Sequence, residues 1–203
     1  MTKNRLEAFS DGVLAIVITI MVLEMKVPHP HEGHAAALAD LAPILPVFLS
    51  YVLSFIYLAI YWNNHHHMLH ATRHVSGGVL WANMHLLFWL SLVPFVTGWM
   101  GENDFAPAPT ALYGVVLFMA GVAYQILQSR ILHLEGKDSV LAKAVGADFK
   151  GKASAVLYAV AVPLAFVSPW IAGGLYVLVA VMWLIPDRRI ERTLVSMEQH
   201  KAN

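Results

Sequence analysis

Cysteine is absent from the 203-residue chain, so it has no disulfide, no thiolate metal site and no cysteine nucleophile. Charge is scarce as well. Asp, Glu, Lys and Arg make up 13% of the residues, against about 25% in a soluble domain. The formal net charge is zero, which excludes the basic footprint of a nucleic-acid binder. Enzyme motifs are missing: the chain has no Gly-x-Ser-x-Gly, no phosphate-binding glycine loop and no Gly-x-Gly-x-x-Gly, so it does not read as an enzyme. The carbonyl-filter run Thr-Val-Gly-Tyr-Gly is missing too, and any ion selectivity would need another design.

What is present is apolar. Hydrophobic residues account for 58% of the chain and the mean hydropathy is +0.61, the composition of an integral membrane protein. With about 20 apolar residues needed per crossing, six spans are expected near 8–27, 41–64, 77–99, 110–131, 153–171 and 173–186. They form one all-α transmembrane domain over 1–203, with 187–203 as a polar cytosolic tail. The last two spans meet at SPWIAGG. Pro94 and Pro163 are expected to kink spans 3 and 5. The N-terminus does not read as a cleaved signal, because Glu7 and Asp11 sit in the leader and no small-residue cleavage site precedes Pro28.

Twelve of the thirteen basic residues fall on one side of this six-span topology, and only Lys26 falls on the other. By the positive-inside rule both termini are cytoplasmic, in a multi-pass protein of the cell membrane. No internal repeat is visible, so a symmetric pore would need several subunits.

The polar residues near lipid gather at one depth. Arg5, Ser10 and Asp11 lie at the inner end of span 1, His65, His66 and His67 at the inner end of span 2, and Trp81, Asn83 and His85 at the start of span 3. A carboxylate in lipid costs about 2.5–3.5 kcal/mol on insertion scales, so these groups are expected to satisfy one another. Ser10 or Asp11 could instead cap the N-terminus of the first helix. His66, His70 and His74 recur at i, i+4 and could offer three imidazoles on one helical face. No carboxylate is close to them in sequence and no His-Glu-x-x-His pattern occurs, so boundary hydrogen bonding is the favoured reading and no metal site is expected.

At about 100° per residue, Ile16, Thr19, Ile20 and Leu23 share a stripe on span 1, with Asp11 nearly opposite. Such a stripe can face lipid, pack on a neighbour, or line a narrow pore that gates by dewetting. Periodicity leaves these open.

Arg5-x-x-x-Phe9-Ser10-Asp11-Gly12, followed by Ile16, Thr19, Leu23 and Pro28, resembles the signature of the transmembrane protein 175 potassium channels. YWNNHHH at the end of span 2 and LWANMHLLFWLSLVPF in span 3 are similar to that family too, and the resemblance covers most of the chain. Animal members carry two six-span repeats. One repeat here implies a prokaryotic type. The resemblance implies a homotetramer in the lipid bilayer whose first helices line the pore, with Ile16, Thr19 and Leu23 as constriction rings and Ile20 and Glu24 as weaker members. Glu24 would raise the local cation concentration or pair with Lys26. Arg5, Ser10 and Asp11 would fix the pore helix against spans 2 and 3, with His65, His66, His67 and His85 as candidate partners of Asp11. The implied function is passive, potassium-preferring conduction of monovalent cations, with no cofactor beyond the permeant ion. A proton- or metal-coupled transporter using Asp11 and the histidines stands as the alternative.

Overall fold

The computed structural model describes residues 2–29, 35–72, 74–136, 139, 141–142 and 148–184. The tail 187–203 lies outside them. Among the described residues seven α-helices follow in chain order: α1 (Lys3–Ile20), α2 (Leu45–His70), α3 (Gly77–Ser91), α4 (Val93–Glu102), α5 (Pro107–Glu135), α6 (Phe149–Leu164) and α7 (Pro169–Leu184). A 3-10 turn, Met21–Glu24, continues α1, and another, Leu38–Ile44, leads into α2.

Among the described residues four helical segments are long and apolar enough to cross a membrane: Lys3–Glu24, Leu38–His70, Gly77–Glu102 and Pro107–Glu135. The other two expected spans are represented by α6 and α7, of 16 residues each. At 1.5 Å per residue, α5 is about 43 Å long.

Proline sets most boundaries. It stands in the first turn of α2, α4 and α5, where its missing N–H costs nothing. The third span is two helices broken at Leu92, because Pro94 has no N–H to offer the carbonyl of Leu90. Ser76 caps α3, its Oγ accepting from the Val79 N–H at 3.3 Å.

Several expected boundaries move. The first helix begins at Lys3 rather than near residue 8, so Ser10 and Asp11 lie well inside it and neither caps it. The second runs on to His70, which puts His65, His66 and His67 within a helix rather than at its end. The last two spans separate at Ala165–Ser168, so the turn takes in only the first residue of SPWIAGG and lies ahead of the expected break between 171 and 173. Pro163 and Pro169 flank that turn, while Gly173 and Gly174 fall inside α7.

The long α5 sits centrally and packs against α3, α4, α6 and α7. Lipid offers no hydrophobic drive between helices, so close approach and hydrogen bonds carry this packing. Ala111, Gly114, Ala120 and Ala123 supply small buried positions on α5. Several buried polar groups pair across the bundle: the Ser54 hydroxyl lies 2.7 Å from that of Thr97 and 3.0 Å from that of Tyr113, and the Tyr57 hydroxyl donates to the Tyr176 carbonyl at 2.6 Å.

The α1 helix lies at the edge of the bundle, packed on α2, α3 and α4. Its buried face is Leu6, Ser10, Leu14 and Val17, continued by Met21 of the turn. The opposite side is left uncovered.

Candidate functional site

The uncovered side of α1 carries the stripe. Ile16 is 65% exposed and Leu23 is 76% exposed, and Ile20 and Thr19 are exposed with them. Val17, one position from Ile16, is 5% exposed. Leu23 stands on the 3-10 turn Met21–Glu24 that continues the helix. In a 3-10 turn residues three apart eclipse, which keeps Leu23 on the side of the helix that Ile20 occupies.

The Thr19 hydroxyl donates back to the Ala15 carbonyl at 2.8 Å and the Ile16 carbonyl at 3.1 Å. Its proton is therefore committed to the helix. What Thr19 presents outward is oxygen lone pairs.

Beside the stripe, one relay ties three helices together. The pairing fixes the protons: Asn83 Nδ2 donates to Ser10 Oγ at 2.9 Å, so Asn83 Oδ1 faces His65 Nε2 at 2.7 Å and that nitrogen carries the hydrogen. Ser10 Oγ in turn donates to the Leu6 carbonyl at 2.8 Å. Each donor points from α2 through α3 into α1. Among the described residues, His65 Nδ1 is the buried side-chain polar atom left without a partner.

Asp11 takes a different partner from those the sequence suggests. Trp62 Nε1 donates to Asp11 Oδ1 at 3.0 Å, and none of the four candidate histidines bonds to it. His85 accepts from Trp89 Nε1 at 3.0 Å on its own helix. His66 Nδ1 lies 3.2 Å from Glu7 Oε1, and His67 is exposed. Trp81 is 78% exposed, and neither it nor Arg5 has a hydrogen-bond partner among the described residues. Of the expected layer, the fold brings together Ser10, Asn83 and His65, and separately Asp11 with Trp62.

The three-imidazole face does not form. Helix α2 ends at His70, so His74 leaves the i, i+4 row. The rings that do stack are Trp62 on His66 at 6.0 Å and His66 on His70 at 6.1 Å.

Outside Leu23, Lys26 pairs with Glu102 at 3.0 Å rather than with Glu24. That hydrogen bond and the charge of Glu102 raise the Lys26 pKa. The Glu24 side chain folds over Gly98, where a Cβ would stand 3.4 Å from Glu24 Oε2. Sequence reasoning missed Trp62, Glu7 and Glu102. The first two carried a signal: Trp62, His66 and His70 share one i, i+4 row on α2, and Glu7 lies four residues from Asp11 on α1.

A bundle of long apolar helices, with an apolar stripe open at its edge and its buried polar groups pinned to one another, defines a membrane-embedded all-α protein. The sequence model of the family described as "Endosomal/lysosomal potassium channel TMEM175" matches residues 5–94. A potassium channel of Chryseobacterium sp. (strain P1-3) is 55% identical over 96% of this chain and 98% of its own length. A potassium channel of Chamaesiphon minutus is 30% identical over 90% of this chain and 93% of its own. The crystal structure of a lysosomal potassium-selective channel TMEM175 homolog from Chamaesiphon minutus superposes with a TM-score of 0.78 at 28% identity, covering 90% of this chain and 96% of that one. The human endosomal/lysosomal proton channel TMEM175 is 38% identical over 36% of this chain, which spans 17% of that protein. The chain belongs to the TMEM175 family of ion channels.

Proposed function

We propose that the chain is a passive, potassium-preferring cation channel in which four copies surround an axial pore lined by α1. The observation that carries this reading is the open stripe of Ile16, Thr19, Ile20 and Leu23 on a helix whose other face is buried. A stripe at a subunit's edge becomes a pore when a closed ring of copies turns it inward. Four Ile16 and four Leu23 side chains then form apolar collars, where passage demands partial dehydration. Potassium sheds water more easily than sodium. The Thr19 ring offers oxygen lone pairs between the collars, because its proton is spent on the helix. No cofactor enters this scheme.

Both termini face the cytoplasm of the cell in this reading, as the distribution of basic residues suggests. The Ser10–Asn83–His65 relay and the Trp62–Asp11 bond set the angle of α1. Those bonds weigh against the coupled-transporter alternative, since a carrier carboxylate must be free to exchange its partner.

The test is flux from liposomes holding the purified chain. Potassium efflux without a proton gradient, exceeding sodium efflux, supports the reading. Because the human relative is named a proton channel, proton flux is measured in parallel. Potassium movement that stops when the proton gradient is collapsed would replace the channel by a coupled transporter.

A further inference from the structure

A second concavity lies away from the stripe, between α2, α5, α6 and α7. It is a half-open cleft with an inner cavity of about 50 Å³. No residue of α1 lines it. Its walls are aromatic: Tyr57, Tyr61, Phe118, Tyr124, Tyr158 and Trp183. Tyr61 and Tyr124 meet edge to face at 6.1 Å, and Tyr57 and Tyr158 lie 6.4 Å apart.

Three of the polar ring edges are bonded within the protein. Trp183 Nε1 donates to Ser154 Oγ at 2.9 Å, Tyr57 donates to the Tyr176 carbonyl, and Tyr124 reaches the Asn64 carbonyl at 3.4 Å. The polar residues Asn64, Gln125, Gln128 and Ser154 stand among these rings, and the faces of aromatic rings attract cations. One such pairing already exists inside the chain, where Lys150 Nζ stands 5.9 Å over the Trp183 ring.

Among the described lining residues Asp148 alone carries a charge. It is half-buried in the left-handed conformation, with φ +44°, and its Oδ1 accepts from the Gly151 N–H at 3.2 Å. Gly151 has no room for a side chain: a Cβ would stand 2.5 Å from Asp148 Oδ2. The carboxylate is thus held at the start of α6, at the rim of an aromatic box. Burial raises its pKa, against the Gly151 hydrogen bond and the positive charge of Lys152. Neither Lys150 nor Lys152 lines the cleft.

We propose that this cleft binds a protonated lipophilic amine, with the ammonium at Asp148 and an aromatic or alkyl body among the tyrosine rings. The charge pattern decides the sign. A lipophilic anion would meet the carboxylate as a repulsion, and a neutral molecule would desolvate it further without adding a countercharge inside the cleft. A cation answers both the carboxylate and the ring faces. The site is separate from the pore stripe, so binding does not depend on the channel reading.

The experiment is calorimetric titration of the full-length chain in detergent with three probes of one shape: phenylbutylamine, phenylbutanol and phenylbutyrate. The amine is expected to bind about tenfold more tightly than the alcohol, and the carboxylate more weakly than either. Asp148→Asn keeps a helix-capping side chain and should remove the amine's advantage. Gly121→Leu should weaken all three probes by filling the cleft, since a Cβ there already points to within 3.8 Å of the Tyr61 hydroxyl. The comparison of probes on the unmodified chain stands whether or not a variant folds. Saturable binding that ranks alcohol equal to amine, or carboxylate first, overturns the proposal. So does no saturable binding of any probe, or an Asp148→Asn variant that still prefers the amine.

Discussion

Asn83 Nδ2 donates to Ser10 Oγ at 2.9 Å across 73 residues of sequence, and both side chains are fully buried. The bond fixes α1 to α3 at one height, and the neighbouring Asn83–His65 contact extends the constraint to α2. The helix that carries the exposed Ile16 and Leu23 is thereby held from behind by buried bonds to two other helices.

Asn83→Leu tests that constraint at nearly constant volume. It leaves the His65 Nε2 proton unpartnered and removes the donor to Ser10, at about 1–3 kcal/mol for each buried group orphaned. The melting temperature in detergent is expected to fall clearly. Ser91→Ala is the comparison, because the Ser91 hydroxyl is exposed and bonds its own helix, so its effect should stay within about 0.5 kcal/mol. Equal melting of the two variants would mean that the relay is not what holds α1.

Close approach makes a separate prediction. A Cβ on Gly101 would stand 2.5 Å from Ser50 Oγ and 2.7 Å from the Val47 Cα, which is backbone and cannot step aside. Gly101→Ala therefore forces α2 and α4 apart, costing about 1–3 kcal/mol by overpacking. Gly173→Ala, with nothing within 4 Å, should instead be neutral or stabilising by up to about 1 kcal/mol from helix propensity. Thermal unfolding of both variants checks the ordering.

The pH dependence contributed by Asp148 has a definite sign. Burial raises its folded-state pKa above the ordinary 3.8, so the folded protein holds this proton more tightly than the unfolded one. Ionisation thus costs stability. The cost is absent below 3.8 and is established as pH rises through the raised value. Asp148→Asn should remove it, so that the variant gains on the parent as pH climbs out of the acid range. Melting curves of the two proteins across that range should diverge upward. Curves that stay parallel would show that Asp148 is as well solvated in the fold as outside it.

Local chemistry was legible in the sequence; partners across the bundle were less so. The ends of α5 follow from Pro107 and from Gly136 at φ +86°, a conformation that suits glycine, and the break in the third span follows from Pro94. The glycine pair 173–174 misled because a glycine inside an apolar helix costs only about 1 kcal/mol, while Pro169 pre-sets the first turn of α7 and so defines the boundary. In the polar layer, depth brought the correct elements together but supplied one coordinate of three. Ser10, Asn83 and His65 share both depth and facing. His85 shares depth and turns to Trp89 instead, and Asp11 rotates toward Trp62, an aromatic residue with no charge to flag it. The stripe was legible as a periodicity, and its exposure could only come from the packing of α1 on α2, α3 and α4.

The last prediction concerns the stripe itself. On the proposed pore reading, replacing Ile16 or Leu23 with Asn wets an apolar collar while changing its width little, so conductance should rise and preference for potassium over sodium should fall. Thr19→Val acts differently. It deletes the lone pairs that Thr19 turns outward and leaves both collars intact, and ion passage should slow with the collars' preference retained. Val17→Asn is the control. At 5% exposure Val17 packs into the subunit, so an unpartnered amide there should lower the yield of assembled protein while each surviving channel conducts as the parent does. Single-channel recordings of the four variants separate the faces of α1. Altered ion preference in Val17→Asn, with Ile16→Asn and Leu23→Asn like the parent, would turn the stripe toward lipid or a neighbouring subunit and move the pore elsewhere.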